Sequence, residues 1–114
     1  MEELCVPKPV KMITVIVDRG KGKKVIKILN EYALGCQFAT YGTGTASTDV
    51  QTYFGLEDSK RDIIFTVVPN EKIKEIMQKI KEKLHLQKPN TGIAFTIPLK
   101  CVSSMLALKY MLEE

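Results

Sequence analysis

MITVIVDRGKGKKVIKILNEYALG, residues 12–35, decides the fold. MITVIVD, 12–18, is a β-branched run suited to a buried strand. RGKGKK, 19–24, carries two glycines and ends the strand. Val25, Ile28, Leu29, Tyr32 and Ala33 then fall at i, i+3, i+4, i+7 and i+8, one apolar stripe on a helix. Gly35 follows the last stripe residue, where a left-handed glycine cap is expected. A strand, a glycine turn and an amphipathic helix form a unit that needs a sheet face to bury against.

The rest of the chain repeats the theme. CQFATY, 36–41, reads as a short second strand, and DIIFTVV, 62–68, as a third stopped by Pro69. Asn70 is the expected N-cap of a second helix with the stripe Ile73, Ile76, Met77, Ile80 and Leu84. HLQKPNTG, 85–92, is a loop. IAFTI, 93–97, is a fourth strand ended by Pro98, and Lys100–Ser103 suggests a short fifth. The order is βαββαβ, and right-handed crossovers put both helices on one face of the sheet. The expected fold is a ferredoxin-like α+β sandwich with a long loop between strands two and three. The expected divisions are an extended arm at 1–10, one domain at 11–103 and an apolar tail at 104–114. Phe38, Phe65 and Phe95 lie on three different strands, and one layer of helices leaves apolar sheet surface for a ligand or another subunit. An oligomer is the expectation, and the tail MLALKYML, without a clean polar face, points the same way.

The bulk numbers suit one soluble domain: 114 residues, 45% hydrophobic, 26% charged and a formal net charge of +4. No apolar run approaches the roughly 20 residues of a membrane span, so no membrane insertion is expected. MEELCVPKPVK places acids where a leader would be basic, and a cytoplasmic location is expected. Cys5, Cys36 and Cys101 are odd in number and widely spaced, which indicates neither a zinc site nor a disulfide framework. His85 is the single histidine. Asp18, Asp49, Glu57, Asp58 and Asp62 show no pairing that suggests acid–base or metal chemistry, so an enzyme is not expected. DIIFTVV offers only Phe65 where an RNA-recognition strand would carry an aromatic motif, so nucleic acid is not expected either.

Three stretches remain as candidate sites. In RGKGKK, Arg19, Lys21, Lys23 and Lys24 crowd the positive end of a helix dipole, which is unfavourable unless something anionic comes near. A solvated turn explains the same residues equally well. NTG, 90–92, precedes the fourth strand and has turn chemistry of its own. ATYGTGTASTDVQTYFGLEDSKRD, 39–62, is too long for a hairpin turn. It holds three of the seven glycines and the hydroxyls of Thr43, Thr45, Ser47 and Thr48.

VDRGKGKKVIKIL after a strand, YGTGTA opening a long loop, and DIIFTVVPNEKIKEI followed by LQKPNTGIAFTIPLKCV together resemble the PII family of nitrogen-regulatory signalling proteins, or a PII-like branch of it. The similarity covers roughly residues 11–103. It implies a homotrimer that binds an adenine nucleotide (ATP, ADP or AMP) between subunits. It implies regulation of a protein partner, a membrane transporter or metabolic enzyme, through the T-loop between strands two and three. By position, Gly42, Thr43 and Gly44 match the T-loop base. Asn90, Thr91 and Gly92 match the end of the phosphate-holding B-loop, and Thr66 and Val67 fall where the family frames the base. Arg19 and Lys21 are the cations offered as replacement phosphate contacts. Ile93 stands where nitrogen-regulatory members have a lysine, and the arginines after the last strand are absent. Each such contact is worth about 1.5–3 kcal/mol, so their loss weakens triphosphate binding by orders of magnitude unless other charge replaces them. The alternatives are a trimeric interaction module without nucleotide and a small phosphate-ester or acyl-phosphate hydrolase. Within the loop, Gly42–Gly44 reads as a hinge, Thr45–Gln51 as a mobile reporter and Tyr53–Leu56 as an apolar patch for contact.

Overall fold

A computed structural model describes residues 5–32, 35, 37–43, 60–88 and 91–112. Ala33, Cys36, Gly44, Asn90 and the loop segments 45–51 and 53–56 lie outside the described residues. The elements are β1 (Cys5–Asp18), α1 (Gly22–Leu29), β2 (Phe38–Thr43), β3 (Lys60–Pro69), α2 (Asn70–Leu84), β4 (Ile93–Cys101) and α3 (Met105–Leu112). Four strands form one sheet in the order β2-β3-β1-β4, with every neighbour antiparallel. This is the expected ferredoxin-like α+β fold.

Strand alternation sorts the side chains. Ile13, Val15 and Val17 of β1 share a face with Ile64, Thr66 and Val68 of β3. Val25, Ile28 and Leu29 of α1 and Ile76, Ile80 and Leu84 of α2 close over that face as one core. Lys79 and Glu31 tie the helix layer on its outside, Nζ to Oε2 at 2.7 Å.

The boundaries differ from expectation for local reasons. β1 begins at Cys5 rather than at Met12. α1 stops at Leu29, with Asn30 as C-cap donating its N–H to the Ile26 carbonyl at 2.9 Å. Tyr32 has therefore left the helix, although it still packs on the core. α2 starts at Asn70 itself, with Pro69 in the cap position and no side-chain cap. Pro98 does not end β4, which runs on to Cys101 and absorbs the expected fifth strand. β4 is an edge strand, where a residue without an N–H is tolerated.

The other sheet face is divided. At one end α3 folds onto it, and Leu108 and Leu112 form a second small core with Val10 and Val67. The tail is thus a helix with one buried side, and Leu106 and Tyr110 face outward. Beyond α3, Phe38, Phe65, Thr14 and Phe95 make a row across all four strands. Phe38 stacks on Phe65 with ring centroids 5.3 Å apart. Phe38 and Phe95 remain 43% and 37% exposed, so this row is an open apolar surface. No helix among the described residues is long and apolar enough to cross a membrane.

Candidate functional site

The loops of interest meet at one end of the sheet. β1 ends there at Asp18, opposite Arg61 of β3, and Arg61 in turn pairs with Gly42 of β2. β4 begins at the same end, with Ile93 paired to Ile16. Gly42, Thr43, Thr91 and Gly92 therefore lie along one rim, with Arg19 and Lys21 in the turn between β1 and α1. Each edge strand carries one pair, and at about 4.8 Å per strand the two pairs stand roughly 14 Å apart.

The start of α1 already holds an anion, and it belongs to the chain. Asp62 Oδ2 accepts the N–H of Gly20 at 2.8 Å and that of Gly22 at 3.0 Å. The carboxylate satisfies orphan donors at the helix N-terminus and answers the cations crowded there. Arg19 Nε lies 3.8 Å from Asp62 Oδ1. Sequence spacing offers Asp62 no partner. Its partners are 40 and 42 residues away, and the strand register faces it toward the helix layer, beyond the reach of sequence spacing.

Arg19 is fastened across the base of the long loop. Its guanidinium sits over the Tyr41 ring, 4.3 Å from the centroid. Its Nη2 donates to the Arg61 carbonyl at 3.3 Å and to the Gly42 carbonyl at 3.5 Å. One side chain thus grips both strands from which residues 44–59 depart. Arg61 is buried, with Nη1 3.9 Å from Asp18 Oδ1 and a hydrogen bond to the Lys60 carbonyl at 2.8 Å. Arg19, Lys23, Tyr41 and Asp62 line a pocket of about 200 Å³. That is smaller than the roughly 300–1,000 Å³ of a drug-sized ligand site.

On the opposite edge, Gly92 is buried with φ +118, and a Cβ there would meet the Ile16 carbonyl oxygen at 2.6 Å. Glycine is required at this position by the backbone itself. Thr91 Oγ1 donates to the Lys88 carbonyl at 2.9 Å and closes the turn. Next to Gly92 runs a groove of about 460 Å³ between α2 and β4. Met77, Leu86 and Ala94 give it an apolar lining, and Lys74 and Lys81 of α2 line it too. These two lysines lie seven residues apart, two turns along one helix side.

Thr66 and Val67 do not join the rim. Thr66 is 0% exposed beneath the helix layer, and Val67 is 2% exposed beneath α3. Four residues of strand separate Thr66 from Asp62, about 13 Å. His85 is exposed at the left-handed C-cap of α2, with φ 54 and ψ 44. Among the described residues no cluster of three or more His, Cys, Asp and Glu stands ready for a metal.

No protein-family model matches the sequence, and no curated protein matches it. Solved structures do resemble it. CPII bound to ADP, AMP and acetate, from Thiomonas intermedia K12, superposes with a TM-score of 0.65 at 15% identity, covering 87% of this chain and 93% of that one. A PII-like signalling protein from Thermus thermophilus gives 0.61 at 17% identity, over 83% of this chain and 90% of the other. A Bacillus cereus protein related to NIF3 gives 0.60 at 21% identity, over 87% of this chain but 28% of that one. At such identities the likeness speaks to architecture, and the architecture of this chain is that of the PII-like proteins.

Proposed function

We propose that this chain is a PII-like signal-transduction protein that binds an adenine nucleotide between subunits of a homotrimer. The observation that carries the reading is the common rim: Gly42 and Thr43 at the end of β2, and Thr91 and Gly92 at the start of β4, open at the same end of one sheet. The solved CPII with ADP and AMP bound supports the ligand class. Neither rim pocket alone encloses a nucleotide together with both loop bases, which suits a site completed by a neighbouring copy. The open row Phe38, Phe65, Thr14 and Phe95 is the surface that such copies cover.

Arg19 and Lys21 on one side, and Lys74 and Lys81 on the other, supply the positive charge that Ile93 does not. Asn90 and Gly44 complete the two loop bases. The nucleotide acts by population shift, favouring the loop conformation it contacts better. Because Arg19 holds the carbonyls of Gly42 and Arg61, a phosphate that draws Arg19 away loosens the base of loop 44–59. The loop then contacts or leaves a protein partner, a transporter or a metabolic enzyme in nitrogen metabolism. The chain works in the cytoplasm by contact and not by catalysis.

Titration calorimetry with ATP, ADP and AMP, with sedimentation of the same samples, tests this. A trimer that binds at least one of them at or below millimolar concentration is expected. A trimer with no heat from any of the three removes the sensor reading. It would favour a second one, an interaction module without ligand, which the Asp62 carboxylate on the α1 N–H groups supports. That module would bind its partner equally well with and without nucleotide.

A further inference from the structure

β4 is an outer strand, with β1 as its one strand neighbour among the described residues. Two prolines fix which of its backbone groups face outward. Pro69 of β3 is the register partner of Val10, and Pro98 of β4 is that of Lys11. Neither can donate an N–H, so neither belongs to a hydrogen-bonded pair of the ladder. Alternation then sets the phase. Val10, Met12, Thr14 and Ile16 exchange bonds with β4, and the residues between them exchange bonds with β3. Ile93, Phe95 and Ile97 therefore spend their backbone groups on β1, and the N–H and C=O groups of Ala94 and Thr96 point away from the sheet. Sheet edges are commonly blunted by proline or lysine. Pro98 and Lys100 do this for the second half of β4, whereas Ile93 to Ile97 carries neither.

That open half borders the groove of about 460 Å³. Across it α2 presents Lys74, Met77 and Lys81 on one side, an apolar residue between two cations. Neither lysine forms an ion pair among the described residues. Seven residues set the two about 10.5 Å apart along the helix. In a strand, positions i and i+4 share a face about 13 Å apart, and a lysine side chain spans the difference. We propose that an acidic peptide segment of another protein adds to the sheet as a fifth strand at Ala94 and Thr96. On the face toward α2, its apolar residue fits against Met77, Leu86 and Ala94, and acids two positions before and after it meet Lys74 and Lys81. The residues between them lie beside Phe95 on the open side of the sheet. A second copy joined edge to edge through β4 would set these lysines against their own counterparts, so charge favours the acidic peptide. The inference stands without the nucleotide, which would compete for the same two lysines.

The probe is a fluorescein-labelled peptide, Thr-Glu-Val-Leu-Val-Glu-Thr, titrated with the full chain and read by anisotropy. Half-saturation at or below about 1 mM is expected, and the matched peptide with lysine for both glutamates should not bind. Lys74→Glu combined with Lys81→Glu should weaken the glutamate peptide at least about tenfold. Thr96→Pro removes an outward donor, leaves the β1 ladder whole and should weaken it as much. Amide exchange should slow on binding at Ala94 and Thr96, with Phe95 and Ile97 already protected by β1. No binding of the glutamate peptide, or equal binding of both peptides, would overturn the proposal. So would slowing at Ala39 and Tyr41 of β2 in place of β4. Exchange at Ala94 and Thr96 that slows in the free chain as its concentration rises would overturn it too, and give the edge to a second copy.

Discussion

Replacing Asp62 with alanine takes the acceptor away from two backbone donors at the start of α1. The Gly22 N–H is buried and would be left without a partner, whereas Gly20 is exposed and water can replace the lost bond. A hydrogen bond to a charged acceptor contributes about 1.5–3 kcal/mol, and an orphaned buried donor costs about 1–3. Because these overlap, the expected loss is about 2–4 kcal/mol by urea unfolding. Asp62→Asn keeps a carbonyl oxygen for the same donors and loses only the charge, so about 1 kcal/mol is expected. The alanine variant also leaves an empty anion site between Arg19 and the Gly20 and Gly22 amides. Sulfate should stabilise it more than it stabilises the parent, by about 1.4 kcal/mol at ten times the dissociation constant. An alanine variant within 0.5 kcal/mol (roughly the scatter of neutral surface changes) of the parent would refute the reasoning. So would equal stabilisation of both proteins by sulfate.

Three further outcomes can be checked. Gly35→Ala places a Cβ against the carbonyl oxygens of Tyr110 and Met111, so α3 must shift. A loss of about 1–3 kcal/mol and faster amide exchange at Leu108 are expected, and unchanged exchange would count against the packing. His85→Gly relieves a left-handed non-glycine cap and should raise stability by about 0.5–1 kcal/mol in the same unfolding assay. Glu31→Gln tests the Lys79 bridge through pH: the lysine's hydrogen bond holds the Glu31 carboxyl below its usual value and raises Lys79 above its own. The bridge therefore stabilises above the ordinary carboxylate pKa, and this is lost as pH falls through the lowered value. At the alkaline end it is lost as pH rises through the raised lysine value. A melting difference between parent and variant that does not shrink as pH falls through the carboxylate range would contradict it.

Much of the fold is legible locally. The stripes of α1 and α2 and the β-branched runs of β1 and β3 each follow from a repeat of 3.6 or 2 residues, and both helices bury the faces those repeats predict. Ends are less legible. Pro98 reads as a stop, yet on an edge strand its missing donor is harmless, and that position is known only once the strand order is known. MLALKYML shows no clear amphipathic face, and it is the bare sheet beneath Val10 and Val67 that makes α3 a covering helix.

The candidate site divides along the same line. Glycines beside strand ends and the cationic RGKGKK turn are visible in one dimension, because turn chemistry is local. Sequence alone therefore determined the βαββαβ order, the helix stripes and the places where loops leave the sheet. Only the tertiary structure put Asp62 on the α1 amides, Arg19 across the base of the long loop, Thr66 and Val67 beneath the helices, and Cys5 opposite Cys101. The physical reason is common to all four. Strand register joins residues 17 to 96 positions apart, and a one-residue slip would reverse every facing side chain, so only the assembled sheet specifies who meets whom.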